Sequence, residues 1–251
     1  MSASGTRPAD DAAQGPPWAG LGGVLFDVDG TLYDQGKLRL LMGLELVRFA
    51  LGHGTRAAGL VRSIVCFRRT REALRALGQP AGSLEELQYR EAARRAGTDE
   101  TQMREVVEEW MLRRPLRHLA RCRRPGVREL LGLLRERGLK VGVFSDYPGR
   151  AKLAALGLME YVSLTVCATD PEVNAFKPHP QGLQHACRQW ALPPQAVLYV
   201  GDRPEVDAVG AAALGMPCAI LSRPASRARS ADAAPHFAFS SFADLRQALG
   251  G

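Results

Sequence analysis

Apolar positions fall into two rhythms along this chain. From Pro125 onward, short apolar runs alternate with stretches of helical spacing. Helix "GVRELLGLLRERG" leads to strand "LKVGVFSD", and "PGRAKLAALG" leads to "VSLTVCATD". Helix "PQGLQHACRQW" precedes "AVLYVGD", "PEVDAVGAAALG" precedes "PCAILS", and "FADLRQALG" closes the series. Strands that alternate with helices predict parallel βαβ units, with helices on both faces of one sheet. The strands are apolar throughout, as a sheet covered on both faces requires. The expected class is therefore α/β, a doubly wound parallel sheet of Rossmann-like form.

Earlier in the chain the rhythm is different. One strand, about Val24–Asp27, is followed by helical spacing for some ninety residues. "GKLRLLMGLELVRFALG" runs to Gly52 and "TRAAGLVRSIVCFRRTREALRALG" runs to Gly78. "SLEELQYREAARRAG" opens with Ser83 and Glu86 in capping-box spacing. "TDETQMREVVEEWMLRR" opens with Thr98 or Asp99 as N-cap and stops before Pro115. A simple βαβ unit takes about 30 residues. The excess, residues 36–121, is expected to be a helical bundle inserted between the first two strands. The α/β domain would then comprise 21–35 and 122–251, behind a disordered tail over 1–20.

Composition adds a bias in the cations. Of 33 basic residues only Lys37, Lys140, Lys152 and Lys177 are lysines, which makes each worth attention. The formal net charge is +7. Residues 35–120 carry sixteen cations against ten acids, with "RRTR" at Arg68–Arg71 the densest patch. Such a run forms solvated helix faces or a positive lid for an anionic substrate. Nucleic acid is not expected, because no aromatic interleaving or binding motif accompanies the charge. The basic helices leave contact with anionic lipid surfaces open. Five scattered cysteines without C-x-x-C spacing predict buried free thiols in a reducing compartment. No transmembrane segment and no leader is expected, and the cytoplasm is the expected location.

The candidate chemistry lies at strand ends, where open parallel sheets bind ligands. The first strand ends in Asp27-Val28-Asp29 and the second in Ser145-Asp146. Lys177 follows the third, and Gly201-Asp202 ends the fourth, with Asp207 a turn later. Acids, a hydroxyl and an ammonium on one edge make a cation site beside an anion site. Glu205 competes with Asp207 for the second acidic place. His179 and Arg203 are candidates for its margin.

In this order, "DVDGT", Ser145, Lys177 and "GDRPEVD" resemble the four motifs of the haloacid dehalogenase superfamily of phosphohydrolases. The resemblance covers about 21–34 and 125–221. It implies a helical cap where the insertion stands. It also implies a Mg²⁺-dependent phosphatase that acts on a small phosphorylated metabolite through an aspartyl-phosphate. Asp27 would be the nucleophile, and Asp29 would protonate the leaving oxygen and then activate water. The ligands of Mg²⁺ would be Asp27, the Asp29 carbonyl and Asp202, with Asp207 completing or orienting the set. Thr31, Ser145, Asp146 and Lys177 would hold the phosphoryl group. The G-D-x-x-x-x-D form favours Asp207 over Glu205. A phosphomutase using the same intermediate, and a non-catalytic binding protein, are the alternatives. Dehalogenases of the superfamily generally lack an acid at the position of Asp29, since a halide leaves without a proton.

Overall fold

Each strand of the sheet places alternate side chains on opposite faces, and both faces find helices to bury them. The computed structural model describes residues 20–222 and 237–250. The tail expected over 1–20 lies outside the described residues except for Gly20. Six parallel strands stand in the order β3-β2-β1-β4-β5-β6. They are β1 Gly23–Phe26, β2 Lys140–Ser145, β3 Leu164–Cys167, β4 Val197–Gly201, β5 Cys218–Leu221 and β6 Phe237–Phe239. In β1, Val24 and Phe26 join one core cluster and Leu25 joins the other. Leu198 and Val200 against Tyr199 repeat the division in β4.

Helices α6 (Val127–Glu136), α7 (Arg150–Leu156) and α10 (Phe242–Ala248) cover the first face, through Leu130, Leu134, Leu153 and Leu245 among others. Helices α8 (Gln181–Trp190) and α9 (Val209–Ala212) cover the second, through Leu183, Trp190 and Ala211. Complete burial of such a side chain contributes about 1.5–3 kcal/mol. The expected strands and helices of this region are present. Strand β6 is an addition: three residues are too short to carry a periodic signal.

Between β1 and β2 the chain is helical, as expected. The elements are α1 (Gln35–His53), α2 (Thr55–Leu77), α3 (Leu84–Ala96), α4 (Glu100–Val107) and α5 (Leu116–Cys122). Three begin at acidic or hydroxyl caps: Asp34 accepts from the Lys37 N–H, Ser83 from Glu86 and Asp99 from Gln102. The helix expected to run unbroken to Arg114 instead widens into π-type turns over Glu108–Arg113. Helix α5 was not separated from its surroundings by periodicity alone. No helix among the described residues is long and apolar enough to cross a membrane.

The inserted helices are fastened to the sheet by polar and apolar contacts together. Leu74 of α2 and Leu84 of α3 are buried in the cluster beneath β2 and β4. Asn174 accepts from the Leu84 N–H at 2.7 Å and donates to the Gly82 carbonyl at 2.9 Å. Within the sheet domain, α8 approaches β2 closely enough that a Cβ at Gly182 would stand 2.1 Å from the Phe144 ring. Gly182→Ala is therefore expected to destabilise the protein by about 1–3 kcal/mol in urea unfolding. Gly59→Ala, in α2 with nothing within 4 Å, should instead stabilise by about 0.5–1 kcal/mol.

Candidate active site

Strand β1 is central, and the chain leaves it toward β2 on one side and reaches β4 on the other. The crevice at this switch point is where the loops after the strands diverge. Asp27 directly follows β1, and its N–H extends the ladder to Val200 at 2.8 Å. Its buried carboxylate meets Lys177 Nζ at 2.5 Å and the Thr31 hydroxyl at 2.9 Å. Lys177 uses its other two donors on Asp207 Oδ1 at 2.9 Å and the Tyr199 hydroxyl at 3.0 Å.

Carboxylate oxygens of Asp27, Asp202 and Asp207 lie within 4.8 Å of one another. Burial pushes the Asp27 carboxyl well above the ordinary range, and Asp207, Asp202 and Asp29 add to this against the pull of Lys177. Asp202 is pushed up to about 6, by burial first and by Asp207 next, with Lys177 opposing. One ammonium does not offset three acids, so the cluster is short of positive charge. The all-oxygen donor set is the kind Mg²⁺ prefers. The donors are not equivalent, however. Asp207 already accepts from Lys177, from Tyr199 and from the N–H groups of Asp202 and Arg203. It is saturated and orients the others. Asp202 has only a 3.5 Å contact from Thr31 and is open to a cation. Gly30 permits this: at φ 101°, its absent Cβ would stand 2.3 Å from Asp202 Oδ2.

Asp29 faces a second cation. Lys152 Nζ, from α7, bonds both its oxygens at 2.5 and 2.7 Å. The Tyr33 and Ser145 hydroxyls also donate to it. Burial raises the Asp29 carboxyl, but the Lys152 charge and these hydrogen bonds outweigh burial and hold it below the usual range. Burial, followed by Asp29 itself, pushes the Tyr33 phenol well up.

Several expected residues are engaged differently from the pattern the sequence implied. Thr31 is fully buried, and its hydroxyl is spent on Asp27. The Asp146 carboxylate is occupied by Arg75 at 2.8 Å and by the Lys177 N–H at 3.2 Å. Ser145 donates to Asp29 at 3.2 Å. Asp207 lies in the cluster, whereas Glu205 is exposed and paired with Arg203. His179 accepts from the Gln181 N–H and lies outside the cavity lining. Arg203 does line the cavity.

The "RRTR" patch divides. Arg68 and Arg69 are exposed, but Arg71 is buried. Its guanidinium lies 3.8 Å from the Tyr147 ring centre and 4.2 Å from that of Phe176. It donates to Gln88 and to the Asp146 carbonyl at 2.6 Å. Arg75 donates to the Lys177 carbonyl as well as to Asp146. Helix α2 is thus clamped to the loops after β2 and β3. Sequence reasoning did not assign Lys152, Tyr33, Tyr199, Arg71 or Arg75 to the site. The rarity of lysine marked Lys152, and the "RRTR" patch marked Arg71 as part of a possible positive lid; nothing local marked Tyr33, Tyr199 or Arg75.

Comparison with known proteins agrees with this architecture. A family model for haloacid dehalogenase-like hydrolases matches residues 21–215. The chain belongs to that hydrolase family. It is 28% identical over 249 residues to the phosphoglycolate phosphatase of Shigella dysenteriae serotype 1 (strain Sd197), covering 91% of this chain and 92% of that one. It is 29% identical over 184 residues to the N-acetylmuramic acid 6-phosphate phosphatase of Pseudomonas aeruginosa, covering 71% and 72%. Among solved structures, a HAD phosphatase from Thermococcus onnurineus superposes with a TM-score of 0.61 at 23% identity, over 92% of this chain and 99% of that one. A 2-haloacid dehalogenase from Pseudomonas syringae pv. Tomato DC3000 gives 0.64 at 24% identity, over 91% and 98%. At these identities the structures establish the shared fold, which serves both chemistries.

The Asp29–Lys152 pair gives a direct check on this geometry. Lys152→Met strands a buried carboxylate and is expected to cost about 3 kcal/mol in urea unfolding. Asp29→Asn in the same chain should recover more than half of that loss, as a double-mutant cycle would read it.

Proposed function

We propose that the protein is a Mg²⁺-dependent phosphatase that hydrolyses a phosphate monoester through an aspartyl-phosphate on Asp27. The observation that carries this reading is the trio Asp27, Asp202 and Asp207 gathered around Lys177 at the strand ends. Mg²⁺, held by Asp27 and Asp202 with the Asp29 carbonyl, would offset phosphoryl and carboxylate charge. A carboxylate oxygen of Asp27 attacks phosphorus, the bond from phosphorus to the ester oxygen breaks, and that oxygen leaves as the alcohol with a proton that Asp29 would deliver and later regain from the attacking water. Lys177 keeps the nucleophile oriented and supplies positive charge beside it. Water then attacks the phosphorus of the aspartyl-phosphate, releasing inorganic phosphate and restoring Asp27.

Asp29 is positioned to move protons. Its pairing with Lys152 favours the ionised form, which suits activation of water more directly than protonation of the leaving oxygen. Ser145 can turn its hydroxyl from Asp29 to a phosphoryl oxygen. Thr31 instead holds Asp27, and Asp146 offers a phosphate only its main-chain N–H, since its carboxylate would repel one. The inserted helices, 36–121, act as a cap over the 21–35 and 122–251 domain. The five free cysteines fit a reducing cytoplasm.

Phosphatases among the relatives support this reaction over dehalogenation, and so does the acid at Asp29. The same machinery suits a mutase if the phosphoryl group returns to another hydroxyl. Release of inorganic phosphate without an isomerised ester would reject that reading. A panel of monoesters, assayed with Mg²⁺ and after chelation, tests the proposal. Asp27→Asn should lower phosphate release by roughly 1,000-fold or more, and chelation should abolish it. Equal release by wild type and variant would overturn the proposal. Independently of turnover, Mg²⁺ at about 100 times its Kd should stabilise the protein by about 2.7 kcal/mol in unfolding, and Asp202→Asn should remove that effect.

A further inference from the structure

The acids and lysines form only the floor of a much larger chamber. Its volume is about 540 Å³, within the range of sites that enclose a ligand of drug-like size. The walls above the floor come from the inserted helices and are mostly apolar, with Arg39, Arg68, Arg71, Glu72 and Arg75 among them. Leu38, Met42 and Leu46 stand at i, i+4 and i+8 on one face of α1. Ile64 of α2, Trp110 in the π-type turns and Leu116 of α5 complete the enclosure. Trp110 is 9% exposed and Leu38 7%, while Met42, Leu46, Ile64 and Leu116 are half-buried along a partly open wall.

Polar groups that could hold a second anion are scarce within the chamber. Arg71 and Arg75 line it, but their guanidinium groups are committed to Gln88, Glu72, Asp146 and the Lys177 carbonyl. Arg39 donates to Gln35 and Arg203 is paired with Glu205, which leaves Arg68, itself exposed, as the least engaged of these cations. A two-carbon ester with a carboxylate, such as phosphoglycolate, would leave most of this volume empty and much apolar surface unmatched. A polar sugar would place many of its hydroxyls against the apolar part of the wall, which offers no hydrogen bonds.

We infer that the substrate is a phosphate monoester whose alcohol carries an apolar body of medium length, seated against α1, α2 and α5. This inference rests on the phosphatase reading, because it takes the floor to be the phosphoryl site. Apolar surface of the alcohol would be buried as the ester docks. Each enclosed methylene is worth about 0.8 kcal/mol, or roughly fourfold in affinity. Because the walls belong to the inserted segment, selectivity for the alcohol and chemistry on the phosphate would reside on separate stretches of the chain.

The test is a homologous series of ethyl, butyl, hexyl and octyl phosphate, run beside 2-phosphoglycolate and N-acetylmuramic acid 6-phosphate. The expected result is a kcat/KM that climbs with chain length, by on the order of 100-fold or more from ethyl to octyl. Both polar esters should fall below hexyl phosphate. In Leu46→Gln and Met42→Gln the octyl-to-ethyl ratio should collapse at least tenfold; a ratio is insensitive to the fraction of protein that folds. A flat series, or a polar ester in the lead, overturns the inference while leaving the phosphatase reading intact. If no ester is hydrolysed, the phosphatase reading fails. The chamber is then judged by calorimetric binding of methyl- and octylphosphonate to the wild-type protein. Tighter binding of the octyl compound upholds the apolar seat, and equal or absent binding overturns it.

Discussion

The arrangement of the site depends on one buried ammonium. Lys177 holds Asp27 and Asp207 at 2.5 and 2.9 Å, in a place where burial penalises every charge present. Burial lowers the lysine's proton affinity, but Asp207 and Asp27 reverse this and hold it charged. Without that charge the acids after β1 and β4 would repel one another or take up protons, and the crevice between those strands would lose its negative character. Tyr199 completes the arrangement by donating to Asp207 from within β4, so that the fully buried face of the sheet contributes directly to the site. Lys177 is held by a short loop after β3. Its main chain is tied to Asp146 after β2 and to Arg75 of α2. Three segments far apart in sequence thus set the position of one nitrogen.

That dependence explains why α2 carries one buried arginine, Arg71, and one half-buried, Arg75, in a region otherwise rich in solvated ones. Arg71 and Arg75 meet the two loops that support Asp146 and Lys177. Arg71 is further held between aromatic rings. An arginine can bond a carbonyl in its plane while stacking on its face, which a lysine cannot do. The inserted helices and the acidic floor are therefore mechanically continuous. A displacement of α2 would move the carbonyl of Lys177 and the carboxylate of Asp146 before it reached the acids themselves.

Much of this was legible in the sequence, and the reasons are local. Short, continuously apolar runs, separated by helical spacing, disclosed five of the strands and the doubly covered sheet. "DVDGT" and "GDRPEVD" stand at strand ends, so their acids converge by topology alone. The long-range partners were less legible. No local pattern sets Tyr33 and Tyr199 apart from other aromatics, and their hydroxyl contacts depend on which loops meet above the sheet. Arg71 lies in a basic run whose neighbours Arg68 and Arg69 are solvated, so composition could not single it out. Strand β6 and the widened turns at Glu108–Arg113 depend on tertiary packing, which periodicity does not record.

Helix α1 shows the same limit from another side. Leu38, Met42 and Leu46 face the chamber, while Leu40, Leu44, Val47 and Leu51 are exposed on other sides of the helix. From sequence, apolar residues around most of a helix indicate full burial in a core. Here one of those faces borders a space left between helices. A core position is satisfied by its neighbours within the chain, whereas a chamber wall is satisfied only by what enters. The acids below are short of positive charge, which the proposed cation would supply and a phosphoryl group could then share. The wall above requires apolar surface. The amphiphilic ester inferred above would meet both, with its phosphoryl end against the sheet and its carbon-rich end against the helices.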